Sequence, residues 1–283
     1  MNLIKSARQG LEDRISETAE TAYQKYRRAV QPIYGTKAGV PAHVGTCFFL
    51  KVGVERYVVT AAHVVDESEN STLYLPLGRR LVAIGGTFAC TNIPIGGRDA
   101  DHFDFAYAVA DEEYFKDLDR VACIEEHDIS LNRVSVETHA YMVIGYPRSQ
   151  NKKPDNAKKT IRPKIWHYYG TGRAVPELYP QLKVTGEDHI SIKYEKQSRT
   201  AEGERVNSIF PRGMSGGPLI DLSSQAPPSD NAVTAPFNGR LSGILLEHHE
   251  EARVLLSVKV NLMLEKIRAR IGEGASIAPD ISG

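Results

Sequence analysis

The chain has 283 residues, a formal net charge of zero, 41% hydrophobic residues and 25% charged residues. That length can bury a core spanning two units of on the order of 100 residues each. Balanced charge removes any global attraction to nucleic acid or to membranes, so binding has to be argued locally. No stretch approaches the ~20 consecutive apolar residues needed to span a bilayer, and Met1-Asn2-Leu3-Ile4-Lys5-Ser6 lacks an apolar leader core. Cys47, Cys90 and Cys123 are widely spaced, odd in number and form no metal-ligand pair. They read as buried small apolar side chains in a reducing, cytoplasmic setting.

In chain order, Ile4, Ala7, Leu11, Ile15, Ala19, Ala22, Tyr26 and Val30 recur at three- and four-residue steps. This predicts an amphipathic helix over residues 2 to about 30. The plain reading is a helix packed on the body of the protein. A helix that binds a regulatory partner through residues 1–30, or one lying on a membrane surface, are the alternatives.

From Val44 the pattern changes to strands. Residues 45–50 and 56–60 predict consecutive strands ending at Thr60-Ala61-Ala62-His63, followed by strands at 72–75 and 81–84. Along Phe103 to Ala110, Phe105, Tyr107 and Val109 face one way, while Asp104, Ala106, Ala108 and Ala110 face the other. A carboxylate followed by small residues suits a tight site between packed elements, which favours Asp104 over its neighbours Asp99, Asp101 and Asp111.

A second set of strands opens between Val134 and Tyr146. Two loops interrupt it. Residues 148–164 carry seven basic side chains against Asp155 alone, which reads as a solvated loop or as a surface for an acidic partner. It has no aromatic interleaving, so no specific nucleic-acid binding is indicated. Residues 223–236 are rich in Ser, Pro and Ala and read as an exposed insertion. Between the loops lies Gly213-Met214-Ser215-Gly216-Gly217-Pro218. Asn238-Gly239 predicts a hairpin turn, residues 241–246 and 252–258 the final strands, and residues 260–271 a closing helix. His248-His249-Glu250-Glu251 could ligate a metal but alternates in facing, so neither metal nor cofactor is expected.

Ser215 supplies a hydroxyl, His63 an imidazole and Asp104 a carboxylate. A serine hydroxyl is a poor nucleophile until an imidazole takes its proton, and the imidazole needs a carboxylate to fix its tautomer. The glycines allow a substrate carbonyl to approach backbone N–H groups, those of Gly213 and Ser215, as its oxygen becomes negative. At these residues, and in the Asp-x-Ala pattern at Asp104, the chain resembles the trypsin-like, chymotrypsin-fold serine peptidases. Forty-one residues separate His63 from Asp104 and 111 separate Asp104 from Ser215. The first spacing fits one barrel carrying base and carboxylate, and the second fits a nucleophile on another.

The resemblance implies an all-β fold of two six-stranded antiparallel barrels with an N-terminal amphipathic helix and a C-terminal closing helix. The expected units are the helix at 1–34, a first barrel at 35–130, a second barrel and helix at 131–272, and a tail at 273–283. Only 68 residues follow Ser215, enough to finish the barrel without an appended peptide-binding domain. It also implies a disulfide partner for Cys47 after the histidine, where Val64 stands, and an aspartate before the serine that pairs with a new amine after activating cleavage, where Met214 stands. Neither device is therefore expected. By the same resemblance Ile209 and Phe210 occupy the floor of the substrate pocket, and Leu246, Glu247 and His248 its wall, giving an apolar preference. The function implied is a serine endopeptidase acting on protein or peptide substrates through an acyl-enzyme, a regulated intracellular effector. The alternative is a catalytically inactive peptide-binding module on the same fold.

Overall fold

Along the strand Val40–Val52, Cys47 and Phe49 alternate with Phe48, Leu50 and Val52, and a strand turns such residues to opposite faces. Both faces are buried. Cys47 and Phe49 fill the interior of one sheet, while Phe48, Leu50 and Val52 pack in a core shared with a second sheet. The computed structural model describes residues 7–78, 80–116, 121–130, 137, 139–151, 162–182, 184–199, 205–223 and 239–276.

The first sheet contains β1 (Val30–Lys37), β2 (Val40–Val52), β3 (Glu55–Ala61), β4 (Tyr74–Leu77), β5 (Arg80–Ala83), β6 (Ala89–Cys90), β7 (Phe105–Val109) and β8 (Ile124–Glu125). Its order is β5-β4-β1-β2-β3-β7-β6, with β8 parallel beside β2 and every other pair antiparallel. The excess over six strands comes from the two-residue pieces β6 and β8. The second group comprises β9 (Ala140–Gly145), β10 (Trp166–Thr171), β11 (His189–Lys193), β12 (Gln197–Arg199), β13 (Arg205–Asn207), β14 (Pro218–Asp221), β15 (Arg240–His249) and β16 (Val254–Lys259). Six of these form an antiparallel sheet in the order β10-β9-β14-β15-β16-β11, and β12 pairs with β13 in a separate ribbon. The helices are α1 (Ala7–Tyr26), α2 (Ala62–Asp66), α3 (Arg148–Asn151), α4 (Tyr179–Leu182) and α5 (Val260–Ser276). This is the two-sheet, chymotrypsin-like architecture, with the terminal helices in place.

Three features differ from the sequence reading. First, α1 ends at Tyr26, and residues 30–34, expected in the helical unit, begin β1. Pro32 has no N–H for a helical ladder and biases Gln31 to extended backbone, so the chain enters the sheet there. Second, the alternation expected over β7 gives two buried faces, with Phe105 and Tyr107 in the shared core and Ala106 packed against Ala62 and Val65; Val109 is exposed. Third, the cysteines are not uniformly buried. Cys47 is, burial pushes its thiol well above the ordinary range, and Val64 lies in the same apolar cluster. Cys123 is half-buried and Cys90 is exposed, because the edge strand β6 carries it. The 223–236 insertion, apart from Ser223, and Asn238 lie outside the described residues, as does most of the basic loop.

From Ile15 to Tyr26 the apolar stripe of α1 is occupied within the chain. Ala19, Ala22 and Tyr26 lie in the shared core beside residues of both sheets. Tyr26 Oη donates to the Gly239 carbonyl at 2.9 Å, and Lys25 pairs with Asp128 at 2.6 Å. The packing reading of the helix therefore holds. Its buried face is not open to a partner, and its first six residues lie outside the described chain.

A Cβ added at Gly239 would come within 3.0 Å of the Ala22 methyl, which shows how little room that contact leaves. Ala22→Leu is expected to overpack it and to lower unfolding free energy by about 1–3 kcal/mol. Urea denaturation should show a lower midpoint at an unchanged slope; an unchanged midpoint would mean that α1 is not seated as described.

Candidate active site

Asp104 sits between the loop at 98–103 and β7, with φ of 38°. A side chain in this left-handed region is uncommon, although Asp tolerates it better than most residues. The contacts explain the strain. The Asp104 carbonyl accepts Ala62 N–H at 3.0 Å, Oδ1 accepts the backbone N–H of His63 at 2.8 Å, and Oδ2 meets His63 Nδ1 at 2.5 Å. One residue thus clasps the start of α2 through three oxygens. Because a carboxylate only accepts, Nδ1 is the donor and Nε2 keeps its lone pair.

Asp99 and Asp101 also line the cavity that holds His63, but the oxygens bonded to His63 are those of Asp104. Asp101 pairs with Arg98 at 2.6 Å, accepts the Thr91 hydroxyl and accepts Phe103 N–H at 3.1 Å. Asp111 caps the turn Glu112–Phe115 through Glu113 N–H. Asp99 is exposed. Asp104 itself is 8% exposed.

Burial pushes His63 down, but the hydrogen bond and charge of Asp104, with the charges of Glu247 and Asp66, more than offset it. The imidazole is left above its ordinary range. Glu247 is held low mainly by its hydrogen bond with His249 at 2.8 Å, with burial opposing and electrostatic interaction with His249 and His63 assisting.

Ser215 reaches the site from the second sheet. His63, Asp104 and Ser215 line one cavity of about 240 Å³, together with Leu246 and Glu247. Ser215 Oγ and His63 Nε2 share that space without a direct hydrogen bond, as is common before substrate tightens such a pair. The loop around Ser215 turns twice through left-handed backbone, at Gly213 (φ 92°) and Gly216 (φ 86°). At Gly213 a Cβ would meet His43 Cε1 at 2.8 Å, and at Gly216 it would meet the Thr46 carbonyl at 2.2 Å, so both conformation and space require glycine. Among the described residues no acceptor takes the N–H of Gly213 or Ser215, whereas Gly216 N–H is given to Leu245 and Gly217 N–H to Met214. Two unclaimed N–H groups beside a hydroxyl can receive a developing oxyanion.

Sequence reasoning missed Thr46. Its hydroxyl donates to the Gly213 carbonyl at 2.9 Å and accepts Tyr146 N–H at 3.0 Å, and its backbone N–H donates to the Ser215 carbonyl at 3.0 Å. One β2 side chain therefore pins the loop of the other sheet from below. Met214 anchors it from above, fully buried among Tyr141, Val143 and Leu219 inside the second sheet.

The residues expected to contact substrate divide into two groups. Leu246 and Glu247 line the cavity with His63 and Ser215. Ile209 and His248 meet Tyr194 instead: its ring lies 4.5 Å from that of His248, and its hydroxyl donates to the Ile209 carbonyl at 3.2 Å. Phe210 and His248 meet edge to face at 5.2 Å. The expected apolar lining thus has polar atoms in it. In the His248–Glu251 run, His249 bonds Glu247 and Glu250 bonds Lys196, and among the described residues no three metal-ligating side chains converge.

A second pair, His139 Nδ1 with the buried Asp221 Oδ2 at 2.8 Å, borders a larger cavity of about 590 Å³ beside α5. Ser242 lines it too, but its hydroxyl donates to the Leu219 carbonyl at 3.2 Å. The Ser215 loop, with its open N–H groups, lies in the smaller cavity.

Comparison with known proteins bears on the fold and on the family. The chain superposes on a crystal structure of a serine endoprotease from Yersinia pestis with a TM-score of 0.51 at 14% identity, covering 90% of this chain and 67% of that one. It superposes on the HtrA-type protease AlgW, solved with a decapeptide, with a TM-score of 0.50 at 15% identity, covering 90% and 68%. At such identities these likenesses bear on the fold. A search of curated protein sequences finds no match. Among the described residues no helix is long and apolar enough to cross a membrane. The model of the trypsin-like peptidase domain matches residues 45–226, a span that holds His63, Asp104 and Ser215, and the chain belongs to that family of serine endopeptidases.

Proposed function

We propose that this chain is a catalytically competent serine endopeptidase that cleaves protein or peptide substrates through an acyl-enzyme at Ser215. The observation that carries the reading is the clasp of Asp104 on His63 in the cavity that Ser215 enters. His63 Nε2 takes the Ser215 proton as Oγ attacks the scissile carbonyl, and the tetrahedral oxyanion is received by the N–H groups of Gly213 and Ser215. His63 then passes the proton to the leaving amine, the acyl-enzyme forms, and water repeats the sequence to free the acid. Asp104 orients the ring and stabilises its transient charge. Met214 in the apolar interior holds the loop without an ion pair, so competence does not depend on a new amine at a cleaved chain end. A regulated effector role is part of this proposal, acting through surfaces other than the buried stripe of α1. An inactive peptide-binding module would have no use for the strained backbone at Asp104 or for open N–H groups beside a serine.

Ser215→Ala is expected to abolish labelling by a fluorophosphonate probe and to lower turnover by on the order of a million-fold. Wild-type turnover of a peptide by a contaminant-free Ser215→Ala preparation would refute the nucleophile assignment.

Only the neutral imidazole accepts the serine proton, so activity is lost as pH falls through the His63 pKa. Because that pKa is raised, the acid limb of kcat/KM should have its midpoint above about 6.5. A flat profile between pH 5 and 8 would contradict the mechanism.

Thr46→Val keeps the shape but removes the hydroxyl beneath Gly213. Both hydrogen bonds of that hydroxyl are lost, to the Gly213 carbonyl and from the Tyr146 N–H, which should cost at least about tenfold in kcat with little change in KM, and Thr46→Ser should restore them. Equal kcat in all three proteins would show that the clamp does not position the loop.

A further inference from the structure

Among the described residues several buried polar side-chain atoms have no hydrogen-bond partner, and those of His248 and Ser208 lie along the segments that flank the proposed nucleophile loop. Both ring nitrogens of His248 and the hydroxyl oxygen of Ser208 are buried, and none makes a hydrogen bond among the described residues. Buried polar groups are nearly always satisfied, and one that is not commonly marks a place where a ligand or water belongs.

Their location is informative. β15 is tied to the Ser215 loop where Gly216 N–H donates to the Leu245 carbonyl at 2.7 Å and Leu245 N–H to the Gly217 carbonyl at 2.8 Å. The next two residues, Leu246 and Glu247, line the cavity with His63 and Ser215, and His248 follows. Phe210, which meets the His248 ring, stands three residues before Gly213. Ser208 stands two residues before Phe210, and Tyr194 touches both ends of this group, through its ring at His248 and its hydroxyl at Ile209. The cluster therefore spans from the strand beside the nucleophile to the segment that leads into it.

We propose, on the serine-peptidase reading above, that His248 and Ser208 select a substrate residue with a carboxamide side chain, glutamine or asparagine, at the position whose carbonyl Ser215 attacks. Tyr194 and Phe210 present aromatic surfaces that suit a planar amide. Their polar neighbours set the rest. A neutral imidazole offers one donor and one acceptor, and a hydroxyl offers both, which matches the oxygen and the N–H groups of a carboxamide. A carboxylate brings acceptors only, an ammonium brings donors only, and an aliphatic side chain leaves the same atoms unpaired. Burial favours the neutral imidazole. Glu250 opposes it, and His249 and Lys196 assist, with Lys196 and Glu250 paired to each other at 2.8 Å.

The test uses the purified full chain and fluorogenic peptides that share flanking residues and carry Gln, Asn, Glu, Leu, Phe or Lys before the scissile bond. Fluorophosphonate labelling is run in parallel. The expected result is kcat/KM at least about tenfold higher for Gln or Asn than for Leu, Glu or Lys, since a site built to hydrogen-bond a side chain discriminates strongly against analogues lacking the group. His248→Phe and Ser208→Ala should each lower the carboxamide-to-Leu ratio severalfold or more, with thermal unfolding confirming that the variants fold. If His248→Phe does not fold, Ser208→Ala carries the comparison. A protein that labels but prefers Leu, Phe, Glu or Lys overturns the proposal and leaves the peptidase reading standing, as does a ratio unchanged in the variants. A protein that neither labels nor cleaves removes both.

Discussion

The proposed reaction geometry depends on one constraint: the base and the nucleophile belong to different sheets. His63 and Asp104 are held by the first sheet and Ser215 by the second, so their separation is fixed by how the sheets pack. That packing is a shared apolar core in which Phe48, Leu50 and Tyr107 meet Met142, Ile144 and Leu246, with Ala22 and Tyr26 of α1 beside them. Apolar packing is strong but has little directionality. Thr46 adds direction, because its hydroxyl ties a carbonyl of the Ser215 loop to an N–H at the end of β9.

Much of this was legible in the sequence, for reasons that differ by residue. His63 and Ser215 stand in short stretches whose types serve few other purposes together: a β-branched strand ending at a histidine, and a serine between glycines. Asp104 needed its neighbours, since the small residues at 106 and 108 distinguish it from Asp99, Asp101 and Asp111. Helix α1 was visible from its stripe, but what covers that stripe was not, because Gly239 lies 213 residues beyond Tyr26. Thr46 carried no local signal at all. A threonine in a strand looks like any β-branched residue until a loop 167 positions away is folded over it. The aromatic cluster was half legible: the positions of Phe210 and His248 were identified, whereas the contact of His248 with Tyr194 and the buried hydroxyl of Ser208 depend on how the chain near β12 and β13 folds back.

The strain at Asp104 and the close quarters at Gly216 have a common origin. Each lies where backbone from one segment must approach another more closely than side chains normally permit. At Asp104 the residue accepts an unfavourable φ so that three oxygens face α2, while at Gly216 the absent Cβ admits the Thr46 carbonyl. Local conformational cost is offset by contacts that only that conformation makes.

Met214 gives the Ser215 loop a different physical character from one anchored by charge. An ion pair loosens as salt or protons screen it, whereas a thioether inside a sheet is indifferent to both. Its hold weakens on cooling, as hydrophobic burial does, while complete burial among Tyr141, Val143 and Leu219 keeps the sulfur from solvent oxidants. The order of the Ser215 loop is thereby coupled to temperature rather than to ionic strength.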